Sequence, residues 1–192
     1  MCLIKQVLRN FHRGMVLVIY VLFQIELISL NTETLSRIEL SKQALNFSAA
    51  HFTIFSANER EDLHGHNFQV ICEVLAPVDR NGLVFDYALL KDALRSLCSR
   101  LDEKTILPEN SPYLLIERDD LYVFAIYNDE RMPFLHRDVI TLPISNVSVE
   151  ELSRYILEKL LENKSIKNQD VREIVIKVSS SPGQSGSAIW RP

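Results

Sequence analysis

The order of apolar and polar positions predicts strands and helices that alternate along most of this chain. Residues 36–52 mix β-branched, aromatic and small side chains, which predicts a bent strand or a pair of strands. The stretch 171–180 predicts another strand, near the end of the chain. Between them, the residues after position 64 alternate in polarity, as expected for a half-buried strand whose inner face carries Phe68, Val70, Cys72 and Val74.

Two segments repeat apolar residues every three or four positions and therefore predict amphipathic helices. The first begins after Asp86, a candidate N-cap, and the second opens at Ser148, which can form a capping box with Glu151. The predicted inner faces consist of Leu90, Leu94, Leu97 and Leu101 in the first helix, and Leu152, Tyr155, Ile156 and Leu160 in the second.

The segment between the two helices, 113–142, predicts an inserted two-stranded β-ribbon with the turn at NDER. The segment 181–186 (SPGQSG) predicts a loop. The order of elements is β-β-α-(ββ)-α-β, which is typical of an α+β fold with both helices on one face of an antiparallel sheet. We expect one domain over 36–192.

Residues 1–35 have a different character. An apolar run from Met15 to Phe23 follows several basic residues, as in a signal peptide, but no small-residue cleavage site follows it. Gln24 and Glu26 interrupt the run well short of the ~20 residues that a membrane-spanning helix needs. We therefore expect a hydrophobic leader or N-terminal extension, with Met15 as an alternative start, and no stable membrane insertion.

Composition narrows the class of protein. The chain has 192 residues with 47% hydrophobic content, which is enough for one substantial core. Its net charge is -4 and it has no basic stripe, so we expect no nucleic-acid partner. The three cysteines include no CxxC pair, which favours reduced thiols and a cytoplasmic location.

Three histidines are candidate metal ligands. His64 and His66 would share one face of a strand, roughly 7 Å apart at Cα, although a His-x-His pair alone also suits a solvated hairpin end. The motif FSAAHF places His51 on the preceding strand, where a hairpin can bring it opposite the pair. Three neutral imidazoles with an open fourth position are typical of a catalytic zinc site.

Five motifs carry a family resemblance: FSAAHF, LHGHNF, GLVFDYALLKDAL, LDEKTILP and NVSVEEL. Their order and spacing resemble the 6-pyruvoyl-tetrahydropterin synthase / 6-carboxy-tetrahydropterin synthase family, of which the chain is identified as a divergent member. The resemblance implies the tunnelling (T-)fold, assembled as trimers and hexamers around a β-barrel. It also implies Zn²⁺ held by His51, His64 and His66, where the ion binds and acidifies oxygens of the substrate side chain.

Two departures affect the catalytic positions of the family. Arg60 stands where the family usually has a cysteine base, and either Glu61 or Glu59 could replace that base. Asp102 is kept from the family's Asp-His pair, but Glu103 replaces the histidine. We take Glu61, Asp102 and Glu103 as the candidate catalytic residues.

A third departure affects substrate binding. The family's last strand carries a glutamate that grips the guanidine-like edge of the pterin through charge-assisted hydrogen bonds. Ser179 or Ser180 occupies that place here, and we take Ser180 as the match. Glu150 matches a second family contact to the pterin, although an acidic residue in a first helical turn also compensates the helix dipole.

The leading hypothesis is a zinc-dependent lyase acting on 7,8-dihydroneopterin triphosphate or a related pterin, in a biopterin-, folate- or queuosine-type pathway. The alternative is a non-catalytic T-fold protein that binds zinc or a pterin. A hydrolase that uses zinc-bound hydroxide would also fit the three ligands. The expected partners are a small-molecule pterin and further copies of the chain, in a homotrimer or homohexamer.

Overall fold

The computed structural model describes residues 33–192, and residues 35–192 form one compact unit. The predicted leader lies outside the described residues. Within residues 33–192, no helix has the length and apolar character needed to span a bilayer.

A seven-stranded sheet forms the centre of this unit, and a separate three-stranded sheet comes from the segment 113–142. The long strand β3 organises the main sheet, because it pairs with β2 at its start, with β1 at its end and with β9 along its middle. The main sheet has the order β10-β9-β3-β2-β4-β8, with β1 beside β3. The strands are β1 (Leu35–Leu40), β2 (Phe47–His51), β3 (His64–Pro77), β4 (Lys104–Pro108), β5 (Leu115–Arg118), β6 (Tyr122–Tyr127), β7 (Glu130–Leu135), β8 (Val139–Leu142), β9 (Glu173–Ser181) and β10 (Gln184–Trp190).

Pairing in the main sheet is antiparallel except between β2 and β4 and between β4 and β8. Within the described residues, three helices pack against this sheet: α1 (Ala88–Leu101), α2 (Val149–Leu161) and the one-turn helix α3 (Lys164–Lys167). The predicted α+β architecture, with two main helices packed on a large and mostly antiparallel sheet, is therefore confirmed. The inner face of β3 is buried as its alternation predicts, with Phe68, Val70, Cys72 and Val74 each no more than 1% exposed.

Helix α2 buries its whole predicted stripe. Helix α1 buries Leu90, Leu94 and Leu101, but Leu97 is only partly buried and the fourth buried residue is Cys98. The N-termini of both helices differ in detail from the prediction. Helix α1 begins at Ala88 with Tyr87 at the N-cap, so the prediction of Asp86 as N-cap is wrong by one position. The Asp86 carboxylate still accepts the Ala88 N–H at 2.9 Å. At α2, the Ser148 hydroxyl accepts the Glu151 N–H, which is half of the predicted capping box.

The segment 113–142 is not a two-stranded ribbon. It holds the three-stranded antiparallel sheet β5-β6-β7, and its last residues form β8, which joins the main sheet in parallel with β4. Strand β5 (LIER) was missed because three of its four residues are exposed and it lacks a clear alternation. The inserted sheet covers a second, smaller core made of Phe52, Ile54, Leu107, Leu114, Val123, Ala125 and Tyr127.

The predicted loop at 181–186 is mostly strand, and this prediction is also wrong. Gly183 has φ +85°, which allows a tight turn, and β10 begins directly after it at Gln184. Gly186 then lies against the start of α2, where a Cβ atom would come within 2.8 Å of the Val149 carbonyl carbon and the Glu150 nitrogen. Glycine therefore lets β10 touch the first turn of α2.

Candidate metal centre and its cleft

The pairing of β2 with β3 brings the three candidate ligands together. His51 lies directly opposite His64 in the antiparallel ladder, and His66 follows two positions along on the same face. The small side chain of Ala49, which is the cross-strand partner of His66, leaves space for the imidazole rings. The ring centroid of His51 lies 4.6 Å from that of His64 and 5.3 Å from that of His66.

Backbone carbonyls orient two of the rings. Nδ1 of His51 lies 3.0 Å from the Val147 oxygen, and Nδ1 of His64 lies 2.8 Å from the Asp62 oxygen. A carbonyl only accepts, so both Nδ1 atoms donate, and in the neutral rings the lone pair is on Nε2. Both Nε2 atoms are thereby prepared as ligands, which is the usual role of such outer partners at metal-binding histidines.

The arrangement fits a metal ion. The Nε2 atoms of His64 and His66 are 3.1 Å apart, close to the separation of about 3.3 Å for two nitrogens bound at 2.0–2.1 Å to a tetrahedral ion. One ligand atom from each histidine lies within 4.8 Å of the others. Nε2 of His51 is buried and has no hydrogen-bond partner, which a ligand bond would satisfy.

The ionisation of His51 favours the same role. Burial, followed by the neighbouring His64 and His66, lowers the pKa of His51 to about 4. The ring is therefore neutral at pH 7 and able to bind a cation.

Glu61 lies beside the histidines. Its Oε2 accepts the Thr53 N–H at 2.9 Å and is 4.0 Å from Nε2 of His64. Partial burial raises the pKa of Glu61, but the Thr53 hydrogen bond and the nearby histidines outweigh this and hold it below the ordinary value. The side chain is 38% exposed. Glu61 is therefore an ionised carboxylate that a ligand can reach.

A cleft of about 480 Å³ opens over these groups. Its wall includes both residues expected to bind substrate, Glu150 from α2 and Ser180 from β9. It also includes Gln184, which was missed because its position was taken for a loop. Strand β10 brings Gln184 to the cleft through its register with β9, and only the pairing of distant segments reveals this.

Asp102 and Glu103 do not line this cleft. The Asp102 carboxylate accepts the Ser48 N–H at 2.7 Å just beyond the end of α1. Glu103 has φ +57° and is exposed. It lines a separate depression of about 330 Å³, whose other lining residues are Ser48, Ala49, Ala50, Gly65, His66 and Asn67. Within residues 33–192, the candidate catalytic residues therefore lie in two places: Glu61 is in the cleft, and Asp102 and Glu103 are outside it.

The remaining candidates have other surroundings. Glu59 is exposed, and its backbone oxygen accepts the N–H groups of Phe55 and Ser56. Ser179 does not line the cleft, unlike Ser180. Cys72 and Cys98 are buried free thiols, and burial raises the pKa of each to about 12, so neither is a reactive nucleophile.

Comparison with known proteins assigns a family to this arrangement. The sequence pattern of the family described as 6-pyruvoyl tetrahydropterin synthase matches residues 39–188. A curated relative from Methanocaldococcus jannaschii, named "Putative 6-carboxy-5,6,7,8-tetrahydropterin synthase", is 27% identical over 144 residues, which is 73% of this chain and 86% of that protein.

Solved structures agree with the sequence comparison. The 6-pyruvoyl tetrahydropterin synthases of Plasmodium vivax and Plasmodium falciparum both superpose with a TM-score of 0.77, at 29% and 32% identity. Each match covers 83% of this chain and 99% or more of the other. Two further P. vivax structures are described as mutants of a catalytic residue, in which a glutamate is replaced by alanine or by cysteine.

Proposed function

This chain belongs to the 6-pyruvoyl tetrahydropterin synthase family, and on that premise we propose that it is a zinc-dependent pterin lyase. The observation that carries the proposal is the convergence of His51, His64 and His66 with the Glu61 carboxylate in one open cleft. The substrate we propose is 7,8-dihydroneopterin triphosphate or a related pterin that carries a hydroxylated side chain.

His51, His64 and His66 would hold the zinc ion, and the carbonyls of Val147 and Asp62 keep two of the rings in the ligating tautomer. When bound, zinc supplies Lewis acidity toward the hydroxyl and carbonyl oxygens of the substrate side chain. A C–H group next to such an oxygen becomes more acidic, so a weak base suffices to remove its proton.

Glu61 is the proposed general base. The Thr53 N–H keeps its carboxylate ionised and pointing into the cleft, so it can accept a proton at neutral pH. The same hydrogen bond weakens the carboxylate as a base, which is consistent with a substrate that is itself acidified. The catalytic glutamate named for the P. vivax structures supports a carboxylate in this role. Loss of the side-chain proton would be followed by elimination or by carbon–carbon cleavage.

Glu150 and Ser180 are the proposed contacts to the pterin ring. Since Ser180 carries no charge, Glu150 is the carboxylate left in that part of the cleft for the guanidine-like edge of the ring. Asp102 and Glu103 lie outside this cleft in the same chain. We therefore propose a trimer or hexamer in which the pair from one copy reaches the cleft of another.

The experiment that tests the function is incubation of the zinc-loaded protein with 7,8-dihydroneopterin triphosphate, followed by mass spectrometry of the products. A new pterin with a shortened or dephosphorylated side chain supports the lyase, and Glu61→Gln under the same conditions is the matched blank. The second candidate, a zinc- and pterin-binding protein without turnover, rests on the replacement of an imidazole by Glu103 and of a carboxylate by Ser180. Pterin binding by calorimetry without any product would favour it.

A further inference from the structure

Arg60, which immediately precedes the proposed base, turns onto the inserted sheet. Its guanidinium carbon lies 5.0 Å from the ring centroid of Phe52 and 5.7 Å from that of Tyr127. Its Nη2 is 3.7 Å from Oε2 of Glu130, and its side chain is only 19% exposed. An arginine held between two aromatic rings and a carboxylate is an anchor rather than a solvated surface charge.

The same guanidinium is bonded to the backbone of Glu61. Nη1 of Arg60 donates to the Glu61 carbonyl at 2.7 Å. The two ends of the loop 52–61 are also clipped together, because the Glu61 N–H donates to the Thr53 oxygen and Ile54 forms a β-bridge with Arg60. The backbone of the proposed base is therefore tied to a side chain that packs against two aromatic residues of the second core.

The inserted sheet holds this loop at a second point. The Tyr127 hydroxyl donates to the Ser56 carbonyl at 2.9 Å, and the Tyr127 ring is buried. On the opposite side, the Asn146 amide accepts the Ile54 N–H and donates to the Ile54 oxygen. The loop is thus fastened between the segment that orients His51 and a sheet that itself contributes no residue to the wall of the cleft.

We propose that the inserted sheet serves to hold Glu61 in register with the metal centre, and that Arg60 is the positioning residue that transmits this support. The inference rests on the proposed function for its kinetic consequence, but not for its structural one. Arg60 touches neither the histidines nor the cleft, so its removal should displace the base without removing a ligand. Small displacements of a catalytic group cost up to about 100-fold in rate.

The test compares Arg60→Ala and Arg60→Lys with a matched control, Arg131→Ala. Arg131 is also an arginine stacked on an aromatic ring of the inserted sheet, with its guanidinium carbon 3.7 Å from the Phe124 centroid. It pairs with Glu117 and makes no hydrogen bond or ion pair to the loop. We expect Arg60→Ala to lower kcat about 10- to 100-fold, with KM within about threefold and full zinc content. Arg60→Lys should recover part of the loss, and Arg131→Ala should match the wild type.

Hydrogen exchange gives a readout that needs no substrate. The N–H groups of Phe55, Ser56 and Glu61 are all bonded within the loop, and their exchange should be at least about tenfold faster in Arg60→Ala but unchanged in Arg131→Ala. If Arg60→Ala does not fold, Tyr127→Phe replaces it, because it removes only the bond to Ser56 and should speed exchange at the same amides.

Three results would overturn the inference: equal kcat values in Arg60→Ala and Arg131→Ala, loss of zinc in Arg60→Ala, or unchanged exchange in the loop. A wild-type protein that turns over no pterin would refute the proposed function instead. In that case faster loop exchange confined to the Arg60 variants would still support the positioning role, and unchanged exchange would refute it too.

Discussion

The Nε2 atoms of His64 and His66 lie 3.1 Å apart on one face of β3, with the buried Nε2 of His51 facing them from the next strand. Three imidazole nitrogens gathered without another hydrogen-bonding group between them form a ready ligand set. This geometry has two causes. His51 is the cross-strand partner of His64, and the two-residue repeat of a strand places His66 on the same face as His64.

The first prediction concerns the metal. We expect about one zinc per chain in the wild type and near-complete loss in His64→Ala, because two imidazoles and water bind zinc far more weakly than three imidazoles. Elemental analysis after gel filtration measures the content. His136→Ala is the matched control, since His136 is exposed and bonds only the Asp119 carbonyl. Full zinc in His64→Ala would refute the site.

The second prediction concerns the base. Glu61→Gln keeps the size of the side chain and removes its basicity, so product formation should fall by about 10²–10⁴ while zinc content is unchanged. Glu59→Gln is the control in the same loop, because Glu59 is exposed and does not line the cleft. If Glu61→Gln turned over at the wild-type rate, proton transfer would have to pass to Glu103 or to metal-bound water.

The third prediction concerns assembly. We expect light scattering at micromolar concentration to give a trimer or hexamer, because Glu103 lies outside the cleft of its own chain. In that case co-expressing Glu61→Gln with Glu103→Gln should restore part of the activity that each lacks alone, since mixed assemblies contain sites with both carboxylates. A monomer, or the absence of any restoration, would argue against shared sites.

The fourth prediction concerns Gly186. Gly186→Ala should destabilise the fold by about 1–3 kcal/mol, because its Cβ would come within 2.8 Å of the backbone at Val149 and Glu150. The first turn of α2 must then shift, which should also weaken pterin binding at Glu150. Urea unfolding measures the first effect and calorimetry the second. Ser187→Ala, at the next and exposed position of β10, should have little effect on either.

The fifth prediction concerns acid stability. Hydrogen bonds from Arg191 and then from Arg37 hold the pKa of Glu173 below its ordinary value of 4.5. A carboxyl group whose pKa is lowered by folding stabilises the folded protein at pH values above its unfolded-state pKa. This contribution disappears as the pH falls through the folded-state pKa. Glu173→Gln should therefore be less stable than the wild type at pH 7.

The difference in unfolding free energy between the wild type and Glu173→Gln should shrink steadily below pH 4.5. Urea unfolding at a series of pH values, with a chelator present so that zinc contributes nothing, measures it. Glu162→Gln removes an exposed pair with Lys159 and should show almost no effect at any pH. A constant difference between wild type and Glu173→Gln across the whole range would contradict the prediction.

The local pattern of apolar and polar residues alone determined which side chains share a face in the long strand and in the two main helices. Period-2 alternation put Phe68, Val70 and Cys72 on the buried face of β3 and His64 with His66 on one side, because side-chain direction in a strand depends only on position. The stripes of α1 and α2 were readable for the same reason. Each of these statements needs no knowledge of which segments meet.

The tertiary structure decided what depends on pairing between distant segments. The parallel addition of β8 to β4, the third strand of the inserted sheet, and the place of Gln184 in the cleft all follow from contacts that no local periodicity encodes. So does the orientation of Arg60. Its match to the cysteine base of the family suggested a lost catalytic group, but its packing on the rings of Phe52 and Tyr127 makes it an anchor. The role of a charged side chain depends on how deeply it is buried and on which groups it contacts, and both are set only when the chain folds.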